Sequence, residues 1–232
     1  MTALNAAQSW PAQLRPAINK TNLMACLAVL AGAGGAMAAL ALQPFIPVEQ
    51  LLRDPLAVAE RNPLTCCKVY YGAVSTLGVL IWSAAAACCL FAALVIWRRG
   101  EAPAVLPFLL FGGLLTGLLA LDDQFLVHEN VLPAFGLPEA AAYSLYAVLG
   151  LALLVFGRRI FMHHNWPLFV IAGGLLASSI LIDQIFHNDE RWRLLLEDGV
   201  KFAGIVAWST FFITTSLALI ERAYAADDRE AK

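Results

Sequence analysis

Acidic side chains recur at helical spacing in the second half of this sequence, where they could hold a cation or serve a reacting group. Asp183, His187 and Glu190 stand at i, i+4 and i+7, and Asp122 and Glu129 repeat the first and last of these positions. Each set shares one face wherever its helix continues. Carboxylates with imidazole suit a divalent metal such as zinc, iron or manganese, which makes Asp122, Glu129, Asp183, His187 and Glu190 the candidate ligands. A second face carries Glu197, Lys201, Gly204 and Trp208, with Asp198 in reach of Lys201, and Glu139, Tyr143, Tyr146 and Gly150 echo it. Glu139, Glu197, Asp198 and Lys201 are therefore read as further lining of the same pocket.

Two chemistries follow from such a set. A bound metal would lower the pKa of a water while a carboxylate such as Glu197 or Asp122 acts as general base. Without a metal, the same acids would take up protons or an organic cation. Each acid taken singly also has a plainer use. Asp122 and Asp183 would end helices, Glu139 and Glu197 would favour the positive N-terminal ends of the next ones, and Lys201 would form an ion pair with Glu197 or Asp198. His128 adjoins Glu129, but neighbours on a helix point about 100° apart and make no ligand pair there. His163-His164 falls with Arg158 and Arg159 and reads as a headgroup contact.

The acids belong to a repeated pattern. FLLFGGLLTGLLALDDQFLVHE, from Phe108, aligns without a gap on FVIAGGLLASSILIDQIFHNDE, from Phe169, which pairs Asp122 with Asp183 and Glu129 with Glu190. A glutamate, Glu139 or Glu197, follows each copy and opens the next helix. The unit is a helix pair, residues 105–156 and 168–220, and two such pairs run in the same orientation, a parallel repeat with its binding site expected between the copies.

The elements that must position these residues are membrane helices. Of 232 residues 60% are apolar and 14% charged, far below the roughly 25% charged of a soluble domain. The apolar residues fall into six blocks: Leu23 to Leu42, Val69 to Trp97, Val105 to Asp122, Ala140 to Phe156, Leu168 to Ile182 and Val200 to Ile220. A helix crossing the hydrocarbon core needs about 20 residues, and period-two alternation is lacking. The fold class is all-α: a polytopic membrane protein of about six helices, the last four forming the two parallel hairpins. Residues 1–22 read as an N-terminal arm, 23–220 as the membrane domain and 221–232 as a tail. An alternative takes Lys20, the run from Leu23 and the small residues near Ala39 and Ala41 as a cleavable signal peptide, leaving five spans in the same orientation.

Nine Lys and Arg in the arm, even-numbered loops and tail oppose five in the other loops, which places both termini in the cytoplasm of a plasma (inner) membrane. Twelve of the seventeen carboxylates then lie on the outer side. The connector from Gln43 to Lys68, with four prolines and an amphipathic stretch, reads as an ordinary link, with a surface-lying lid over the pocket as the alternative. The cysteines form no disulfide framework, since four are vicinal pairs and no CxxC occurs.

No glycine-rich phosphate loop, nucleophile elbow, haem attachment motif or HExxH is present, and the short links hold no soluble catalytic domain. Nothing points to nucleic acid. Three functions fit: an outward-facing site that binds a metal ion or other cation, with transport as its extension; a membrane-embedded metal-dependent hydrolase acting on lipid or peptide at the outer leaflet; and a structural subunit of a homo-oligomer or membrane complex. Whether the protein is an enzyme is open at this point.

Overall fold

The computed structural model describes residues 20–55, 58–59, 64, 68–100, 105–186 and 191–230. Every expected apolar block forms a helix: α1 is Lys20–Leu42, α3 Ala73–Arg99, α4 Leu106–Phe125, α5 Glu139–His163, α6 Trp166–Ile185 and α7 Arg191–Glu230, with the short α2, Val48–Leu52, between α1 and α3. Among the described residues six helices are long and apolar enough to cross a membrane, and no strand occurs. Local sequence sets several ends. Pro107 and Pro167 sit in the first turns of α4 and α6, where a missing N–H costs nothing. Gly100 closes α3 in the left-handed region at φ 70°, a conformation glycine adopts without a Cβ penalty.

The core runs along α7, which packs against α1, α3 and α6. Phe211 and Phe212 at its middle are fully buried, and Phe108, Phe161, Phe169 and Trp208 surround them with ring centroids 4.7–6.1 Å apart. Close helix approach depends on small residues. Gly113 of α4 faces Cys89 and Leu90 of α3, and Gly117 faces Ala86, which fixes the antiparallel register of this pair. Gly112 faces Phe212: a Cβ there would lie 2.5 Å from Cε1 of that buried ring. Gly112→Ala is expected to cost about 1–3 kcal/mol through overpacking. Gly174, whose added Cβ meets nothing within 4 Å, should accept alanine without loss. Thermal unfolding of both variants in detergent checks this pair of outcomes.

Helix α5 stands apart. Little of it packs on α4 or α6, Val148, Leu151 and Val155 are 58–63% exposed, and Gly150 has no neighbour where a Cβ would be. The hairpins α4–α5 and α6–α7 thus pack differently, since α7 lies tightly on α6. The internal match remains a feature of the sequence pattern.

Three local expectations need correction. The stripe from Asp122 to Glu129 is not one helix, because α4 stops at Phe125 and Leu126 adopts a left-handed φ of 50°. The stripe from Asp183 is interrupted likewise: α6 ends at Ile185 and Phe186 is extended. Glu197 does not open a helix, since α7 starts at Arg191. His187, Glu190 and the Cys66-Cys67 pair lie outside the described residues.

Candidate functional site

The break after α4 creates the first part of the site. Past Leu126 the chain makes one π-helical turn, Val127–Val131, a geometry often found at functional positions. This turn folds His128 back onto the last turn of α4. Its backbone N–H donates to Asp122 Oδ1 at 2.9 Å, and its Nδ1 lies 2.6 Å from Asp122 Oδ2. Nε2 is 3.5 Å from Glu129 Oε1, and the Tyr143 ring lies 5.3 Å from the imidazole. A carboxylate on Nδ1 fixes the ring and leaves Nε2 for other chemistry.

Burial works against the charged form of His128, but the hydrogen bond and charge of Asp122 outweigh it and raise the imidazole above its ordinary value. The sign of the linkage follows. The pair's contribution to stability is complete below the unfolded-state value, about 6.5, and is lost as pH rises through the elevated folded value. Unfolding temperature measured from about pH 6 to 9 should therefore fall by a component that Asp122→Asn removes.

Helix α7 supplies the opposite wall. Leu194, Glu197, Asp198, Lys201 and Trp208 face the site from one side of the helix, at the spacing of successive turns. Lys201 Nζ pairs with Asp123 of α4. Asp123 is 5% exposed, and its second oxygen, Oδ2, has no hydrogen-bond partner. Arg193 bridges two acids, at 3.3 Å to Asp183 and 2.7 Å to Glu197. Deeper in, Trp208 Nε1 donates to Thr116 Oγ1 at 2.9 Å, and that hydroxyl donates to the Gly112 carbonyl. These bonds tie α7 to α4 below the charged groups.

The connector contributes as well. Val48, Leu51 and Leu52 of α2 are buried, and this anchors the following Arg53 and Asp54 at the rim. Burial raises the Asp54 carboxyl above the usual range despite the opposing charge of Lys201.

These parts enclose a cavity of about 780 Å³ between α4, α5, α6 and α7, with Trp82 of α3 also in its lining. One end is polar and carries eight carboxylates, Asp54, Asp122, Asp123, Glu129, Glu139, Asp183, Glu197 and Asp198, against Arg53, Arg193 and Lys201 as fixed cations. The other end is apolar, lined by Leu115, Leu119, Leu151, Leu154, Phe169, Leu176 and Trp208. Leu151 lines the cavity yet is 62% exposed, and Gly173 on α6 would also leave an added Cβ without a neighbour. The cavity is thus thinly closed between α5 and α6, along the apolar part of both helices.

Asp122, Glu129, Asp183, Glu139, Glu197, Asp198 and Lys201 all line this one space, Glu129 through the π-turn rather than along one helical stripe with Asp122. Lys201 takes Asp123 rather than Glu197 or Asp198 as its ion-pair partner. Asp123, Asp54, Arg193 and the Asp122–His128 pair were not legible from helical stripes. The doublet Asp122-Asp123 opposite a lysine one turn inside another span was the available signal for Asp123. Among the described residues no group of three or more His, Cys, Asp or Glu is placed to hold a metal ion.

Fold and cavity together define a polytopic all-α membrane protein with six membrane-capable helices around an acidic, amphipathic chamber. Residues 23–215 match the family described as Domain of unknown function (DUF8692), and the chain belongs to that family. No curated protein and no solved structure matches it.

Proposed function

We propose that the protein binds an organic cation with an apolar tail, a membrane-resident amphiphile, in the cavity between α4, α5, α6 and α7. The observation that carries this reading is the polarity gradient of the cavity: eight carboxylates against three fixed cations at one end, and a leucine and aromatic floor at the other. Charge at membrane depth is costly unless it is paired or lines a wet cavity, and the surplus of acid favours a cationic partner. The thin closure between α5 and α6 gives the tail a route from the lipid. The positive-inside distribution supports an orientation with the acidic end at the outer leaflet of a plasma membrane. Transport would need a polar route onward, and the ring cluster of Phe108, Phe161, Phe169, Phe211 and Phe212 fills the way. Binding is the better supported activity.

The site has not taken the form of a metal centre in its described part, because Asp122 is engaged by His128 and Asp183 by Arg193. A zinc, iron or manganese site would depend on His187 and Glu190. Elemental analysis of protein purified without chelators decides it: stoichiometric metal lost in an Asp183→Ala, His187→Ala variant would replace the organic cation with a metal ion.

A second reading has its own observation, the Asp122–His128 pair with Nε2 3.5 Å from Glu129 Oε1. There the histidine would act as general base in hydrolysis of an acylated amphiphile. Acyl release by purified protein, lost in His128→Gln, would support it.

Equilibrium dialysis in phosphatidylcholine nanodiscs tests the main reading. Dodecyltrimethylammonium should bind saturably and at least about tenfold more tightly than dodecyl sulfate. Equal binding of the two would defeat it.

A further inference from the structure

Two buried polar atoms on residues that line the cavity have no hydrogen-bond partner, and they are of opposite kinds. Asp123 Oδ2 is an acceptor on a residue 5% exposed, and Trp82 Nε1 is a donor on a residue 4% exposed. Both residues line the cavity. They also lie at similar depth: the register set by Gly117 against Ala86 and Gly113 against Leu90 brings Trp82 level with the last turns of α4, where Asp123 sits. The other cavity indole behaves differently, since Trp208 Nε1 is satisfied by Thr116. Buried polar atoms in native proteins nearly always find partners, so an unpaired donor and an unpaired acceptor on two cavity-lining residues of similar depth are what a ligand head could complement.

Resting on the cation reading above, we propose that the ligand head is a primary ammonium with a neighbouring oxygen, held in an inner subsite made by Asp123 and Trp82. The ammonium N–H donates to Asp123 Oδ2, and the oxygen, a hydroxyl or carbonyl, accepts from Trp82 Nε1. Lys201 already occupies the other oxygen of Asp123. Asp54 and Asp198 lie within electrostatic reach of that lysine. A quaternary ammonium has no N–H to offer. It would cover Oδ2 with methyl groups and leave the carboxylate desolvated and unpaired, the situation in which binding sites discriminate most strongly. The tail would then run over Leu115, Leu119 and Trp208 toward the gap between α5 and α6.

The test compares ligands of one chain length in phosphatidylcholine nanodiscs: dodecylamine, dodecyltrimethylammonium, the corresponding dodecyl amino alcohol and dodecyl sulfate. The inference predicts that the amine binds about tenfold to a hundredfold more tightly than the trimethylammonium, and that the amino alcohol binds more tightly than the amine. Trp82→Phe should abolish the preference for the amino alcohol over the amine. Asp123→Asn should remove the preference for amine over trimethylammonium. If that variant does not fold, the wild-type ligand series and Trp82→Phe still decide the matter. Equal affinity for amine and trimethylammonium, both above dodecyl sulfate, overturns the inference and leaves the cation reading standing. No preference for either cation over dodecyl sulfate overturns both.

Discussion

Lys201→Met is expected to destabilise the folded bundle by about 2–4 kcal/mol, among the largest effects of any single substitution that leaves the aromatic core intact. Asp123 is buried and already has one oxygen without a partner. Removing Lys201 would strip the other and leave an uncompensated carboxylate beside Asp198 and Asp54. Truncating one member of a fully buried pair costs about 3–5 kcal/mol. The Lys201 side chain, however, is 30% exposed toward the cavity, where solvent screens part of the loss, and this sets the lower expectation. The double variant Lys201→Met, Asp123→Leu should recover most of the stability, because it removes both charges together. Unfolding in mixed micelles with increasing dodecyl sulfate measures all three proteins. An unchanged Lys201→Met protein would mean that the ion pair does not span α4 and α7.

Arg193→Gln should raise affinity for a cationic amphiphile by about tenfold to thirtyfold, the largest gain available from one residue. Arg193 neutralises Asp183 and Glu197 together, and its side chain is only 11% exposed. Deleting it adds one unit of negative charge to the wall. At a separation of roughly 8 Å and an effective dielectric of about 20–30, one charge changes the interaction by about 1.4–2 kcal/mol. Dodecyl sulfate affinity should fall correspondingly, and dialysis of both ligands reads the two changes together. Were Arg193 itself the anchor of an anionic headgroup, the substitution would weaken the anion and leave the cation unaffected.

The fold was legible because length and apolarity are sufficient to specify membrane helices. The six runs of the sequence became six helices, which differ from their apolar blocks at the ends. Helix α7 shows why the ends were missed. Arg191, Arg193, Glu197 and Asp198 are polar enough to resemble a loop, yet all lie within the helix, because Arg193 and Glu197 satisfy one another one turn apart and Asp198 faces the cavity. Periodicity could place Glu197, Lys201 and Trp208 on one face, and they do share it.

The Asp122–His128 pair could not be read in this way. It depends on Leu126 adopting a left-handed conformation that leucine rarely takes, and helical spacing assumes the opposite. Asp123 was hidden for a related reason. Attention to the stripe containing Asp122 sets its neighbour about 100° away, whereas the cavity lies between α4 and α7 and takes in both. The connector after α1 reads in the sequence as an ordinary link or a surface-lying lid. Its short helix buries Val48 and Leu52 and brings Arg53 and Asp54 to the rim, a long-range packing outcome that local composition does not encode.

The central claim, that acidic groups in the α4–α7 cavity select a cationic amphiphile, is tested most directly by native mass spectrometry. Protein released from nanodiscs after exposure to equimolar dodecylamine, dodecanol and dodecyl sulfate should retain one dodecylamine, and the triple variant Glu129→Gln, Asp183→Asn, Glu197→Gln should retain none. Retention of dodecanol or dodecyl sulfate in equal measure, or undiminished retention of the amine by the neutralised variant, would contradict it.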